Sequence, residues 1–431
     1  MNSASDGGIL RIRIERTDEP LIARGGLILP YECARALKLP AVIDRELPEP
    51  GSGHGYKPSE FVMPLVVMLH GGGKKLEDMR QVREEEALRT VIEINQLPAS
   101  STIGDWLRRV GEHKRGLPGL GRVSQHLVGE ALKRDSRKGY TLDSDATVIE
   151  AEKYEAQWTY KKEKGYQPLL GFLFELGIIL HDEFRDGNVP AGAGALEFLK
   201  GCVALMPPGK RINYYRSDSA AYRADVINYC CHEHMLFTIT ADQDEAVKKA
   251  IKTIKQEEWQ HYKDDRQIAE TVHSMNKSEE AFRLIVQRWP KLQADLFDPD
   301  PYYYHAIATN RKGKAKQVVE RHNERGQVEN YIKEFKSGFG MDWMPCGETH
   351  ANAAFFRIGV IAYNLFQVMK MVALPDRWRT ATVGTARWKL YETAAKLVRH
   401  SHQVIMKLVA SVEKLCIFRR AHNIYTQLAC T

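Results

Sequence analysis

The chain contains 431 residues, of which 43% are hydrophobic and 27% are charged, a balance that is ordinary for globular domains and excludes a disordered or collagen-like chain. Its 62 lysines and arginines exceed its 55 acidic residues, and the formal net charge of +7 is compatible with a polyanionic partner without requiring one. Seven cysteines, an odd number without regular spacing, argue against a disulfide framework and indicate a reducing compartment.

Residues 1–138 are predicted to form a mainly helical DNA-binding region. Within it, Pro98 is followed by the cap-forming Ser100, and positions 103, 106, 107 and 110 then place apolar side chains on one helical face. This pattern is typical of the second helix of a helix-turn-helix, whose exposed Arg108 and Arg109 would contact DNA phosphates. A plain surface helix explains the same arginines nearly as well.

Residues 139–240 are predicted to be the first part of an α/β catalytic core. The hydrophobic pattern indicates three strands, a helix, a strand, a helix and a final strand. The apolar run at residues 171–180 is long enough for one buried strand with a bend at a glycine.

Two predicted strands of this core carry or end in carboxylates. The first contains Asp143 and Asp145, which strand alternation places on the same face. The second leads into the segment Arg216-Ser-Asp218-Ser. Acidic side chains at the ends of strands are candidate metal ligands or acid-base groups.

Residues 241–310 are predicted to interrupt the core as an inserted subdomain. The segment opens with a basic helix at residues 246–255 and continues with short extended runs that carry Trp259 and Trp289. An insertion is needed because Asp218 and the next candidate acid, Glu329, lie 111 positions apart.

The second part of the core, residues 311–374, contains four polar side chains at helical spacing. His322, Arg325, Glu329 and Lys336 fall on one face of a single predicted helix. Arg and Glu four residues apart commonly form only a solvated salt bridge, which is the plain interpretation. Residues 349–365 predict a core helix over the sheet, and residues 375–431 predict a basic helical tail.

The spacing of the last three polar residues resembles a signature of DDE transposases of bacterial insertion sequences. Arg325, Glu329 and Lys336 match the last three positions of their Tyr-x2-Arg-x3-Glu-x6-Lys pattern, with His322 in place of the tyrosine. The segment Asp145-x-Thr is similar to the first-aspartate motif of that family.

Arg216-Ser-Asp218-Ser is similar to the second-aspartate motif of the same family, so that the resemblance covers about residues 140–370. Its specificity lies in the ordered set of motifs, because any single Asp-x-Thr is uninformative. The resemblance implies a ribonuclease H-like, mixed-sheet catalytic core with a β-rich insertion.

The resemblance further implies that Asp145, Asp218 and Glu329 are catalytic and hold Mg²⁺, for which Mn²⁺ can substitute. Three carboxylates suit this hard ion, which prefers oxygen ligands and keeps several waters. Two such ions about 4 Å apart neutralise the scissile phosphate, activate a water and stabilise the leaving oxygen. Asp143 is the rival for the first ligand, and the following Thr147 favours Asp145.

DNA contacts are implied for further residues. Arg325 would bind a phosphate through two N–H groups of its guanidinium, and Lys336 would bind one as a point charge. His322 lies on the same predicted face. In the insertion, Trp289 is the candidate for stacking on a DNA base, and Trp259 is the alternative.

The expected function is that of a transposase that binds the ends of its element, cleaves DNA and transfers the strands to a target. The expected partners are double-stranded DNA, as element ends and target, and a second copy of the chain in the synaptic complex. Two alternatives are a catalytically silent DNA-binding protein derived from such an element and a ribonuclease H-like nuclease without strand transfer.

The expected location is the cytoplasm, with nucleoid association when the protein is bound to DNA. The first residues lack the pattern of a signal peptide, and the longest apolar run, residues 61–69, is too short to cross a bilayer. We therefore expect no membrane partner.

A zinc site is a competing metal hypothesis. Residues 230–234, Cys-Cys-His-Glu-His, combine ligands that zinc prefers. Adjacent side chains point in different directions, however, and no second Cys/His pair stands at finger-like spacing. Core packing of the cysteines is the preferred interpretation.

Overall fold

The structure, a computed structural model, describes residues 12–51, 55–94, 96–292, 300–401 and 403–430. The first eleven residues of the predicted N-terminal region and residues 293–299 of the predicted insertion lie outside the described residues. The helices are α1 (Ile28–Ala36), α2 (Leu39–Glu46), α3 (Pro58–His70), α4 (Met79–Glu84), α5 (Glu86–Val91), α6 (Ser100–Glu112), α7 (Gly116–Arg134), α8 (Ala195–Ala204), α9 (Ala224–His232), α10 (Glu245–Lys252), α11 (Ala315–Asn323), α12 (Gly326–Lys333), α13 (Thr349–Val372), α14 (Val383–Ala386) and α15 (Val412–Ala429).

The strands are β1 (Leu21–Ile22), β2 (Gly139–Ala146), β3 (Ile149–Glu150), β4 (Gln157–Trp158), β5 (Lys164–Tyr166), β6 (Leu169–Leu173), β7 (Ile178–Glu183), β8 (Arg211–Ser217), β9 (Leu236–Thr240), β10 (Gln260–Lys263), β11 (Arg266–His273), β12 (Phe282–Pro290), β13 (Tyr302–Thr309), β14 (Ala395–His400) and β15 (Gln403–Leu408).

One large mixed sheet forms the centre of the protein. Its nine strands lie in the order β10-β11-β12-β13-β9-β8-β2-β6-β7. β2 pairs in parallel with β8 and β8 with β9, whereas β6 pairs antiparallel with both β2 and β7. The predicted α/β class with a mixed sheet is therefore confirmed.

The apolar run at residues 171–180 forms parts of two strands, so the prediction of a single bent strand was wrong. β6 and β7 are antiparallel, and Gly177, with a φ of 62°, takes the left-handed conformation in the reversal between them. Glu175 in this turn accepts hydrogen bonds from the backbone N and the hydroxyl of Thr141 on β2, at 3.0 and 2.7 Å. These bonds hold the turn against the sheet.

The residues predicted as an insertion extend the same sheet. β10, β11, β12 and β13 each pair antiparallel with the next strand along the chain. β13 in turn pairs antiparallel with β9, where Ile307 lies opposite Thr240. α11 packs on this part of the sheet through the buried Val318 and Val319. The inserted strands are thus part of the same sheet as the core, and α11 follows directly after the last of them.

α13 is the central helix of the protein. It packs against α1, α3, α6, α7 and β7. It is long and apolar enough to cross a membrane, but 83% of its most apolar window is buried inside the protein. The core helix predicted at residues 349–365 is confirmed, and the helices of the N-terminal region share their core with it.

The helix predicted around Arg108 is α6. It begins at Ser100, and its apolar side chains at positions 103, 106, 107 and 110 are buried, as predicted. They face α7 and α13, which leaves Arg109 exposed on the outer face.

The C-terminal tail is not wholly helical, and this prediction was wrong. β14 and β15 form a hairpin, and β1 pairs with β14 to make a separate three-stranded sheet. Val398, Val404 and Ile405 are β-branched residues, which favour strands over helices. α15 then packs on α1.

Candidate active site

Two carboxylates meet at the ends of neighbouring parallel strands. Asp145 is the second-last residue of β2, and Asp218 directly follows β8. Ser144 lies opposite Ser217 in the register of these strands, so the two acids emerge side by side at one edge of the sheet. Asp218 also caps the short helical turn that follows, because its Oδ1 accepts a hydrogen bond from the backbone N of Ala220 at 3.1 Å.

Arg325 joins the two carboxylates. Its Nη2 lies 3.3 Å from Oδ2 of Asp145 and 3.9 Å from Oδ2 of Asp218. The Arg325 and Asp145 side chains are largely buried, at 15% and 16% exposed, whereas Asp218 is 41% exposed. A single guanidinium therefore supplies the positive charge between the acids.

Glu329 on α12 completes the acidic group. Burial raises the pKa of Asp145 to about 6; Arg325 opposes this rise, and the charges of Asp218 and Glu329 add to it. Asp145 and Glu329 line one open cavity of about 330 Å³ together with Lys336. All three predicted catalytic acids thus lie close together.

Asp143 is engaged elsewhere. Its two oxygens accept hydrogen bonds from Nε and Nη2 of Arg216, at 2.6 and 2.7 Å, and both side chains are fully buried. Arg216 also donates from Nη1 to the carbonyl oxygen of Arg321 at 2.6 Å. Asp145, and not Asp143, is therefore the carboxylate of β2 that lines the open cavity.

The single helix predicted from His322 to Lys336 is broken, so that part of the prediction was wrong. α11 ends at Asn323 and α12 begins at Gly326. The Arg216 guanidinium binds the last turn of α11 through the Arg321 carbonyl, and it also contacts Glu324 at 3.3 Å.

His322 lies on the far side of this break. Its imidazole is 4% exposed, and its Nε2 lies 3.1 Å from the hydroxyl of Thr240 on β9. Burial lowers the pKa of His322 to about 3, with the neighbouring His305 and Arg325 adding to the shift. His322 is therefore a neutral, buried side chain that packs α11 against the sheet.

Lys336 reaches the end of β2 from a single π-helical turn, Glu334–Gly338. Its Nζ donates to the carbonyl oxygen of Val148 at 2.5 Å and lies 3.3 Å from the hydroxyl of Thr147. Burial lowers the pKa of Lys336. Its position beside the cavity agrees with its spacing from Glu329, but the contact with Val148 has no signal in the sequence.

The other predicted DNA contacts are distributed over the protein. Arg108 is paired with Glu348 and Asp105, each at 2.9 Å, while Arg109 is exposed. On the insertion, the guanidinium of Arg266 lies 4.7 Å from the ring centroid of Trp289.

The acidic side chains of this site are the candidate ligands of a divalent metal. Within the described ranges, no three Asp, Glu, His or Cys side chains converge closely enough to hold an ion. The charge between Asp145 and Asp218 is that of the Arg325 guanidinium, whose buried Nε has no hydrogen-bond partner among the described residues. Asp145 and Asp218 nevertheless offer carboxylate oxygens, the ligands that a hard ion such as Mg²⁺ prefers.

The cysteine and histidine cluster at residues 230–234 has a different environment. Cys230 is buried in the core, where burial raises the pKa of its thiol, and His232 contacts Glu279 at 2.6 Å. This arrangement agrees with packing of the cysteine in the core.

Comparison with known families identifies the class of protein. The family model described as "Transposase DDE domain group 1" matches residues 7–430, and the chain belongs to this transposase family. The chain is also similar to a piggyBac transposase in a cryo-EM structure of a synaptic complex with hairpin DNA. That similarity has 10% identity and a TM-score of 0.47, and it covers 95% of this chain and 80% of the other. No curated protein matches the chain.

Proposed function

We propose that this family member is an active insertion-sequence transposase that binds the ends of its element, cleaves them and joins them to target DNA. The observation that supports the proposal is that the Arg325 guanidinium lies between Asp145 and Asp218 at one edge of the sheet, while Glu329 lines the same cavity as Asp145 and its charge helps to raise the pKa of Asp145. Three acids from β2, from the residue after β8 and from α12 form a group only because the fold brings them together.

Asp145, Asp218 and Glu329 would hold Mg²⁺, or Mn²⁺ in its place. When bound, the metal supplies charge neutralisation at the scissile phosphate and activation of the attacking water. The chain's own residues position the DNA. Arg325 carries a buried Nε without a hydrogen-bond partner among the described residues, which supports a second position on a DNA phosphate.

Lys336 is proposed to hold a phosphate on the other side of the cavity. Its Nζ is fixed by Val148 and Thr147, so that its charge is placed before DNA arrives. The exposed Arg109 on α6 and the net charge of +7 suit further backbone contacts. Arg108 would add to these after leaving its acidic partners, and Trp289 would stack on a base in place of Arg266.

A ribonuclease H-like core is the fold assignment we favour. Three antiparallel strands, β7, β6 and β2, are followed by the parallel β8 and β9, with the acids at the ends of β2 and β8. A homodimer working on double-stranded ends and target, in the bacterial nucleoid, follows from the proposed reaction.

The experiment is incubation of the full chain and Mg²⁺ with labelled duplexes taken from the DNA that flanks its gene, followed by analysis of the products on a denaturing gel. Joined products would support the proposal. Cleavage without joining would indicate a nuclease, and binding without cleavage would indicate a silent DNA-binding protein.

A further inference from the structure

A short hairpin, Gln157–Tyr166, stands beside the active site, and we call it the aromatic hairpin. β4 and β5 pair antiparallel within it, with Trp158 opposite Lys164. The turn is closed by a hydrogen bond from the backbone N of Thr159 to the carbonyl oxygen of Glu163 at 2.8 Å. Lys162 has a φ of 62°, the left-handed conformation of a tight turn.

The base of the aromatic hairpin is packed against the core. β5 also pairs with β3, and a Cβ added to Gly165 would lie 2.1 Å from the carbonyl oxygen of Ile149. A Cβ added to Gly187 would lie 2.5 Å from the carbonyl oxygens of both Gln157 and Gly165. These close backbone contacts mean that the hairpin presents its tip from a fixed position.

The tip carries two aromatic side chains in solvent. Trp158 is 61% exposed and Tyr160 is 73% exposed. In the part of the chain that the structure describes, neither ring lies against another aromatic ring. Residues 158–164 contain three lysines and one glutamate, a net charge of +2. Exposed aromatic rings with lysines between them are the combination that binds single-stranded nucleic acid.

The chain connects this tip directly to the catalytic acids. β2, which carries Asp145, is followed within three residues by β3, and β3 pairs with β5 of the hairpin. Lys336 binds the carbonyl oxygen of Val148 in this short connection. Lys161 at the tip is near enough to Lys336 to contribute to the lowered pKa of Lys336. The hairpin is therefore joined through β3 to the strand whose end, with Lys336, lines the cavity.

The tryptophans of the insertion are already covered, in contrast. The guanidinium of Arg288 lies 4.0 Å from the ring centroid of Trp259, and that of Arg266 lies 4.7 Å from that of Trp289. A base would have to displace an arginine to stack on either ring. Among the described residues no cation lies over Trp158, and at Tyr160 the Nζ of the neighbouring Lys161 lies 5.9 Å from the ring centroid, farther than either arginine.

We propose that the aromatic hairpin binds unpaired bases of the DNA strand next to the scissile phosphate, with Trp158 and Tyr160 as stacking surfaces and Lys161 as a phosphate contact. This inference rests on the proposed function, because only a protein that cleaves DNA here needs to hold an opened strand at this place. Base stacking tolerates any sequence, so the hairpin adds affinity for an opened end without reading it.

The test uses full-length protein with Mg²⁺ omitted, a labelled oligothymidine strand and a labelled blunt duplex, with binding followed by fluorescence anisotropy. Trp158→Ala and Tyr160→Ala should each weaken binding of the strand by about 5- to 100-fold, the effect of losing one stacked base, and should change duplex binding much less. Trp158→Phe should restore most of the strand affinity because it keeps an aromatic face. Lys161→Ala should lower the salt dependence of strand binding by about 0.7 in the logarithmic slope.

Trp388→Ala is the matched control, because Trp388 is 76% exposed and lines a cavity formed by residues 377–417. It should bind the strand like the wild type. Equal strand affinity in Trp158→Ala, Tyr160→Ala and wild type would overturn the proposal. So would a change of the sedimentation coefficient in Trp158→Ala without DNA, which would assign the hairpin to contact with a second copy of the chain.

The two hypotheses fail in different ways. If the wild type joins DNA ends while both hairpin variants bind the strand normally, the transposase function stands and the hairpin proposal falls. If the variants lose strand binding while the wild type never cleaves DNA, the hairpin proposal stands and the proposed reaction falls.

Discussion

Arg216 donates two hydrogen bonds to Asp143, from Nε to Oδ1 at 2.6 Å and from Nη2 to Oδ2 at 2.7 Å. Both side chains are fully buried. The two residues are direct partners in the register of β2 and β8. Each stands two positions before a proposed catalytic acid, Asp145 or Asp218. The pair therefore fixes the relative position of the strand ends that carry the active site.

Removal of one partner of this pair should destabilise the protein strongly. Asp143→Ala leaves the Arg216 guanidinium buried without its anion, and we expect a loss of about 3–5 kcal/mol in the free energy of unfolding by urea. Asp145→Ala should cost much less and serves as the control. The double variant Asp143→Leu with Arg216→Met should recover much of the loss. A stable Asp143→Ala with normal cleavage would contradict this role.

The three acids should be separable from DNA binding. We expect Asp145→Ala, Asp218→Ala and Glu329→Ala each to abolish strand cleavage, because the proposed reaction has all three hold the metal, while affinity for a duplex end stays near normal. Gel assays of cleavage and of binding on the same DNA measure the two effects. Asp376→Ala, at a side chain that is 97% exposed, is the control. Retained cleavage in Asp145→Ala would reject its assignment.

His322 should make the protein sensitive to acid. The pKa of its imidazole is about 3 in the folded protein and about 6.5 in the unfolded chain. Between these two pH values the unfolded chain binds a proton at His322 and the folded protein does not. Stability should therefore fall as the pH drops from about 6.5 to about 3. In urea unfolding at several pH values, His322→Gln should lose part of this slope. His232→Gln, at a side chain that is 62% exposed, should keep it. Equal slopes in both variants would show that His322 titrates normally.

Arg109 and Arg108 should differ in their effect on DNA affinity. Arg109 is exposed, and Arg109→Ala should lower the logarithmic salt slope of duplex binding by about 0.9, the value for one lost phosphate contact. Arg108→Ala should lower it less, because Glu348 and Asp105 already neutralise this side chain. Titration of one duplex at several salt concentrations measures both slopes. Unchanged slopes would remove α6 from the DNA interface.

The sequence predicted the features that depend on neighbouring residues. Alternation put Asp143 and Asp145 on one face of a strand, and the resemblance to insertion-sequence transposases singled out Asp145, Asp218, Glu329 and Lys336, whose roles stay predictions. The apolar face of α6 followed from its helical period. These features are set within about fifteen residues, so a local pattern contains them.

Features set by distant residues were not predicted. The break between α11 and α12 involves the Arg216 guanidinium, which comes from β8 and takes the Arg321 carbonyl at the end of α11. The same guanidinium binds Asp143, a contact that alternation does not predict, although the Thr147 context had already favoured Asp145 as the ligand. No local pattern contains contacts between residues that are 73 or 105 positions apart.

α13 is translated late, although it packs against helices from the start of the chain. α1, α3, α6 and α7 emerge from the ribosome early, but the helix that they pack against is made only when residues 349–372 have been translated. Until then the apolar faces that these helices turn toward α13 lack that partner, and the shared core is incomplete. A prematurely terminated chain would expose these faces to solvent and become a target for chaperones and proteases.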